Sequence, residues 1–314
     1  MADHTSESKQ EMKEKAQEAL QTHGITINSG FSILEALSKV KQREVPCPII
    51  KQTAMTTSLM TIDDLSLKTT IASPDTYDLE LTKLVYNHVS FPNLEKKPSF
   101  NDFTNNISYI DRKALIWGIF ASTYGTLGKV NIKCPYCDNE FTDEIKADDL
   151  IQPDTFTVWD KPVSFNEYVK SFEYICNLEN IYKIEFDVSL PSIHQQLNII
   201  KLISSSKLKD NFSKVGNIFS KQEELASIIR QIKIYSKPDD PTVKERVVLP
   251  KDVYKIVGNL PLEIGDFVLD SYSTEFDKFI PQFKKPFVCA QCNNEFDYIS
   301  DPEVSLFRQF FRSR

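Results

Sequence analysis

Apolar residues recur at helical spacing in several stretches of the chain. The clearest stretch begins at Ser108 or Tyr109 and runs to Tyr124, and Gly125 and Gly128 follow it. Serine commonly caps helix starts and glycine commonly ends helices, so both boundaries are marked. The same spacing predicts further helices over 75–89, 191–205, 220–235 and 261–280.

A second pattern predicts strands. Residues 155–189 are dense in β-branched and aromatic residues, which favours several antiparallel strands. Two shorter strand–turn–strand segments enclose residues 134–137 and 289–292. Together these patterns predict an α+β fold with a mainly helical body, a small antiparallel β region and a split zinc-ribbon-like four-cysteine module.

The two short turns carry closely similar sequences, CPYCDNEF at 134–141 and CAQCNNEF at 289–296. Two thiolates separated by two residues can face one metal ion from a tight turn, whose backbone N–H groups also hydrogen-bond the sulfurs. Two such turns complete a tetrahedral four-thiolate site, the preferred geometry of structural zinc. The predicted zinc ligands are Cys134, Cys137, Cys289 and Cys292.

The two cysteine pairs are far apart, because 151 residues, 138–288, lie between them. The entropic cost of closing a loop grows only logarithmically with its length, so a folded insert does not forbid a shared site. Three alternatives stay open. In the first, each pair binds its own metal with further ligands, although the mid-chain histidines His88 and His194 lie far from both pairs in sequence. In the second, the pairs are redox-active, although redox Cys-x-x-Cys pairs typically lie at helix starts. In the third, the four cysteines are reduced thiols that bind no metal.

The patterns divide the chain into five regions. Residues 1–54 are a polar helical arm and an extended connector, 55–133 a helical subdomain, 134–146 the first zinc knuckle, 147–284 an inserted β and then helical subdomain, and 285–314 the second zinc knuckle with a Phe-rich tail. The tail, SLFRQFFRSR, either packs into the core or serves as a docking peptide.

The sequence offers no convincing active site. It contains no P-loop, no Gly-x-Ser-x-Gly and no His-Glu-x-x-His, and it has only 4 histidines. A closed four-thiolate site has no open coordination position for water, so we expect a protein that is not an enzyme. Cys47, Cys176 and His194 are expected to be structural. The sequence has three pairs of adjacent acidic residues, Asp63-Asp64, Asp148-Asp149 and Asp239-Asp240. Because adjacent side chains point apart on a helix or strand, these pairs indicate helix caps and turns.

Net charge and hydropathy limit the classes of partner that we expect the chain to bind. The 314 residues carry a formal net charge of -7 and a pI near 5.3, which makes broad binding to nucleic acid unlikely. The first twenty residues lack the apolar stretch of a secretory signal, and no stretch approaches the roughly 20 apolar residues of a membrane helix. We therefore expect a chain that folds in a cytoplasm, contacts no membrane and keeps its thiols reduced.

Residues 55–311 carry a characteristic series of features. They are an Asp-Arg step, an apolar helix ending in Tyr-Gly, two Cys-x-x-Cys pairs separated by an acidic turn, and a Phe-Phe ending. In this order they resemble the baseplate hub and tail assembly proteins of T4-like contractile-tailed bacteriophages. The paired knuckles and the Phe-Phe ending are the most specific part. The matching positions are Asp111-Arg112, Tyr124-Gly125, Cys134/Cys137, Asp148-Asp149-Leu150, Cys289/Cys292 and Phe310-Phe311.

The resemblance implies a non-enzymatic structural or assembly component of the phage baseplate hub and tail, found in the virion or, during assembly, in the host cytoplasm. It implies other baseplate and tail proteins as partners, with a homo-oligomer as a further option. A zinc-ribbon nucleic-acid-binding or transcription-related protein is the alternative, although acidic residues balance the lysines around both knuckles. A hydrolase or nuclease that uses acidic clusters is the third hypothesis.

Overall fold

The computed structural model describes residues 42–50, 55–61, 64, 76–150, 157–178, 181–205, 221–237 and 242–301. Of these residues, 39% are helical and 28% lie in strands, which confirms a mixed α+β fold. The two shares are too similar for the body to be called mainly helical. The polar arm and the Phe-rich tail of the sequence prediction lie outside the described residues.

Three helices form one layer: α1 (Tyr77–His88), α2 (Phe100–Asn106) and α3 (Tyr109–Thr123). The hydroxyl of Ser108 accepts the backbone N–H of Asp111 at 3.0 Å and caps α3 as predicted. Gly125 follows the helix with φ of 69°, a left-handed conformation that glycine adopts without steric cost. Helix α3 is buried on nearly all sides, as its high apolar content requires.

A small antiparallel sheet lies against α3. It consists of β1 (Arg43–Glu44), β2 (Thr56–Thr57) and β3 (Val89–Ser90), in that order. Gly118 allows the helix to approach these strands, because a Cβ atom there would overlap Val45 and lie 2.6 Å from Oγ1 of Thr57.

The second part of the fold is a four-stranded antiparallel sheet. Its strands follow the order β6 (Lys170–Leu178), β7 (Ile181–Val188), β8 (Ile229–Tyr235) and β9 (Val243–Val247). Four helices lie in the same part of the chain: α4 (Ile193–Ser205), α5 (Lys221–Ile228), α6 (Pro250–Val257) and α7 (Leu262–Phe276). Helix α6 contacts β8, and helix α7 contacts β6.

Two sequence predictions were wrong in part. The predicted helix over 220–235 stops at Ile228, and the chain continues directly into β8. The predicted strands over 155–189 begin only at Lys170, since residues 157–169 form turns and irregular backbone. Strand β9 and helix α6 were not predicted. The helices over 191–205 and 261–280 are confirmed as α4 and as α7 with a following 3-10 turn, Asp277–Phe279.

The buried side chains form two main clusters. One surrounds α3 and contains Cys47, and the other lies beneath the four-stranded sheet and contains Cys176. Both lone cysteines therefore occupy the apolar core, as expected. No helix in the described part of the chain combines the length and the apolar character needed to cross a membrane.

The five predicted regions stay a prediction, but close contacts cross one of their boundaries. The N–H of Tyr109 donates to the carbonyl of Pro191, and the N–H of Ile193 donates to the carbonyl of Ile107, both at 3.0 Å. The start of α4 is thereby bonded to the start of α3.

Candidate metal centre

Two β-hairpins carry the predicted ligands. The first pairs β4 (Thr126–Lys133) with β5 (Glu140–Lys146), and the second pairs β10 (Lys284–Val288) with β11 (Glu295–Ile299). Each Cys-x-x-Cys pair lies in the turn of its hairpin. The strands predicted on either side of both cysteine pairs are therefore confirmed.

The two turns have the same backbone geometry. In the first, the N–H of Cys134 donates to the carbonyl of Asn139, and the N–H of Asp138 donates to the carbonyl of Cys134. In the second turn, Cys289, Asn293 and Asn294 form the matching pair of bonds. Asp138 and Asn293 both have φ of 57°. Asp and Asn tolerate this left-handed conformation better than most residues, so the repeated sequence explains the repeated turn.

The turns bring all four predicted sulfurs together. Their Sγ atoms lie within 4.8 Å of one another. Across the hairpins, Cys134 and Cys292 are 3.7 Å apart and Cys137 and Cys289 are 3.6 Å apart. These distances are too long for disulfides. They match the edge of about 3.8 Å that a tetrahedron of sulfurs has around an ion with zinc–sulfur bonds of about 2.3 Å. The cluster therefore fits a metal ion bound by four thiolates.

The cluster is buried on one side only. Cys134 and Cys289 are fully buried, whereas Cys137 and Cys292 are partly exposed. Backbone N–H groups, first that of Cys292, favour the thiolate of Cys289 and lower its pKa. At Cys137 the N–H of Asn139 favours the thiolate, but burial and the neighbouring sulfurs outweigh it and raise the pKa. Four thiolates at these distances repel one another, so a cation is needed to hold them all ionised.

The hairpins support each other through aromatic packing. The ring of Phe141 lies 5.6 Å from that of Phe287 and 6.4 Å from that of Phe296, both edge-on. Beside these rings, Lys285 of the second hairpin forms ion pairs with Asp143 and Asp149, at 3.0 and 3.2 Å. Each hairpin alone is a two-stranded sheet with little stability, so these contacts and the thiolate cluster hold them together.

The four cysteines that come together were predicted from the sequence, but the residues around them were not. The amide Nδ2 of Asn139 lies 3.8 Å from the Sγ of Cys289 on the opposite hairpin. Asn139 and Phe141 belong to the repeated Asn-Glu-Phe that follows both cysteine pairs, which is the signal that marks these supporting positions. The pairing of Lys285 with Asp143 had no such signal.

The histidines considered for separate sites lie elsewhere. His88, at the end of α1, is 3.1 Å from a carboxylate oxygen of Asp64 through Nε2, and its Nδ1 is 3.1 Å from the hydroxyl of Ser58. His194 lies in the first turn of α4. Within the described residues, the four cysteines form the only cluster of three or more potential metal-ligating side chains.

The acidic pairs have structural partners where they are described. Asp148 forms an ion pair with Arg43, Asp149 pairs with Lys285, and Asp64 contacts His88. Asp63, Asp239 and Asp240 lie outside the described residues.

No protein-family model, curated protein or solved structure matches the chain. What the site can do therefore follows from its own chemistry. Four protein thiolates complete a tetrahedral coordination shell and leave no position for water or substrate. Such a centre stabilises the structure around it.

Proposed function

We propose that the protein is a non-enzymatic structural or assembly component of a phage baseplate hub and tail, stabilised by one structural zinc ion and binding other tail proteins. The observation that carries the structural-zinc part of this proposal is the four-sulfur cluster, with cross-hairpin distances of 3.6 and 3.7 Å. A sulfur-only tetrahedral site selects zinc or iron among the common metals. Zinc is the metal proposed, since it forms most closed structural sites of this kind.

The position of the cluster supports a stabilising role. The ion would connect two cysteine pairs that are separated by residues 138–288. A crosslink that closes a loop of more than 100 residues removes unfolded-state entropy worth about 5 kcal/mol in the chain-entropy model. This contribution is comparable with the net stability of a typical domain.

The assignment to a tail rests on the resemblance of residues 55–311 to baseplate hub and tail assembly proteins. Five of its six matching positions lie in the described part of the chain. The Asp-Arg step is at the start of α3, Tyr124-Gly125 ends that helix, and the acidic turn at Asp148-Asp149 directly follows the first hairpin. The two cysteine pairs bring their four sulfurs within 4.8 Å of one another.

Charge pairing favours a protein partner over nucleic acid. Three lysines near the knuckles are engaged by carboxylates, at 2.9 Å for Lys133 with Asp138, 2.7 Å for Lys284 with Asp297 and 3.0 Å for Lys285 with Asp143. A nucleic-acid site depends on basic side chains that can neutralise phosphates. Lysines already paired with carboxylates contribute little to such a site.

Co-purification from infected cells tests the proposal. The chain, carrying an affinity tag, is expressed in bacteria during phage infection, and the bound proteins are identified by mass spectrometry. We expect baseplate or tail proteins to co-purify with the native chain and with Cys176→Ala, but not with Cys289→Ala. Absence of the chain from both phage particles and tail-assembly complexes would overturn the proposal. A salt-dependent DNA shift without tail proteins would favour the alternative of a nucleic-acid-binding protein.

A further inference from the structure

A groove of 730 Å³ lies apart from the metal centre, between α2 and residues 159–165. Its surface includes the buried side chains of Phe103, Trp159 and Phe165. At its rim, Leu94 and Val163 are 45% and 40% exposed. These exposed apolar side chains and the buried aromatic rings below them can contact apolar side chains of a segment that enters the groove.

The groove also carries negative charge. Asp102 and Asp160 line it and are exposed, and no described lysine or arginine forms an ion pair with either carboxylate. Lys161, which also lines the groove, is engaged by Glu275 at 3.2 Å. The groove therefore suits a segment that combines aromatic side chains with arginines.

Residues 302–314, PEVSLFRQFFRSR, have this composition, with three phenylalanines and three arginines within thirteen residues. The segment follows Asp301, the last described residue. Contacts of Phe283 and Phe279 show how close residue 301 lies to the groove. The N–H of Ser300 donates to the carbonyl of Phe283 at 2.8 Å, and the ring of Phe279 lies 5.1 Å from that of Trp159 in the groove wall. The four residue-to-residue steps from Phe279 to Phe283 span at most about 14 Å, whereas thirteen extended residues span about 45 Å, so the segment is long enough to reach.

We propose that this groove binds residues 302–314 of the same chain. Phe307, Phe310 and Phe311 supply the apolar contacts, and the neighbouring arginines face Asp102 and Asp160. This interaction is independent of the metal centre and of the function proposed above. It gives the Phe-Phe ending an intramolecular binding site.

Photo-crosslinking in the full chain tests this inference. The photoreactive residue p-benzoylphenylalanine replaces Val163 or, in a second variant, Leu94, both exposed enough to accept it. Mass spectrometry of the monomer band is expected to find crosslinks to residues 302–314 from both positions. The same residue in place of Val248, a 52% exposed valine outside the groove, is the matched control and is expected to give none.

Two further variants separate the apolar and charged contributions. Replacing the three phenylalanines at 307, 310 and 311 by serine is expected to abolish the crosslinks. Replacing Asp102 and Asp160 together by asparagine is expected to reduce their yield about fivefold, the effect of losing two exposed ion pairs. Crosslinks only to other peptides, or to residues 302–314 only within a crosslinked dimer, would overturn the inference. Unchanged crosslinks in the triple serine variant would also overturn it.

Discussion

Asp111 is a carboxylate buried in the first turn of α3. Its Oδ1 accepts the N–H of Ile49 at 2.9 Å, and the side chain is fully buried. Burial opposes ionisation more strongly than this bond favours it, so the pKa of Asp111 rises from 3.8 to about 7. The folded state therefore holds a proton on Asp111 that the unfolded chain releases between these two values.

This difference predicts that stability depends on pH. Because the folded pKa is the higher one, the contribution of Asp111 to the free energy of unfolding falls as pH rises from about 4 to 7 and is constant above that. Asp111→Asn removes this dependence. We expect the stability of the variant relative to wild type to increase by about 1 to 3 kcal/mol between pH 5.5 and pH 8, measured by urea unfolding. Equal pH profiles for Asp111→Asn and wild type would contradict this role of Asp111.

Gly118 shows how one hydrogen atom in place of a side chain sets the packing of α3. Alanine normally stabilises a helix interior relative to glycine by about 1 kcal/mol. At position 118 the added Cβ would overlap Val45 and Thr57, so we expect Gly118→Ala to destabilise the protein by about 1 to 3 kcal/mol. Gly265→Ala in α7 is the matched control, since its Cβ would meet only Leu225 at 3.3 Å. Similar denaturation midpoints for the two variants would refute this packing.

At the scale of elements, local signals predicted some boundaries well. Ser108 and Gly125 bound α3 because a capping hydroxyl and a left-handed glycine act within a few residues. The strands beside the cysteines also follow from local alternation.

Strand β8 was not predicted, for a physical reason. Its buried residues, Ile229, Ile232 and Tyr235, recur every third position, as they would on a helix. Irregularities in its pairing with β7 and β9 accommodate this spacing in a strand, and only the neighbouring strands reveal them.

We expect the second hairpin to be the element that depends most directly on the proposed metal ion. Among the described strands its two strands pair only with each other, and they pack on the first hairpin through Phe287 and Phe296. The N–H of Lys284 also donates to the carbonyl of Leu150 at 2.8 Å. Removing the metal with a strong chelator is expected to accelerate amide exchange in β10 and β11 at least tenfold, measured by hydrogen–deuterium exchange. Exchange in β7, a central strand of the larger sheet, should change much less. Equal protection of β10 and β11 with and without chelator would contradict the role of the metal.

At the scale of the whole molecule, the meeting of the two cysteine turns was predicted from metal chemistry and not from hydrophobic periodicity. No hydrophobic pattern relates residue 137 to residue 289, yet the preference of zinc for four thiolates predicted that their turns meet. The supporting contacts were beyond such reasoning. The ion pair of Lys285 with Asp143 joins residues of two hairpins whose relative orientation is set by the complete fold. The same limit applies to the groove at Trp159, which residues from distant segments form together.

Loss of one ligand is expected to affect the whole fold. Cys289→Ala leaves three thiolates and removes the crosslink between the hairpins, so we expect the melting temperature to fall by about 10 °C or more. Cys176→Ala removes another buried thiol from the core beneath the larger sheet and should lower the melting temperature by only about 3 °C. Differential scanning calorimetry measures both values. Equal decreases would indicate that Cys289 acts only as a core residue.

The metal content of the purified chain tests the central claim most directly. Elemental analysis of protein purified without chelators is expected to find about one equivalent of zinc per chain. It is expected to find far less in Cys289→Ala and an unchanged amount in Cys176→Ala. Zinc well below one equivalent in the native chain, or iron in its place, would contradict a structural zinc site at Cys134, Cys137, Cys289 and Cys292.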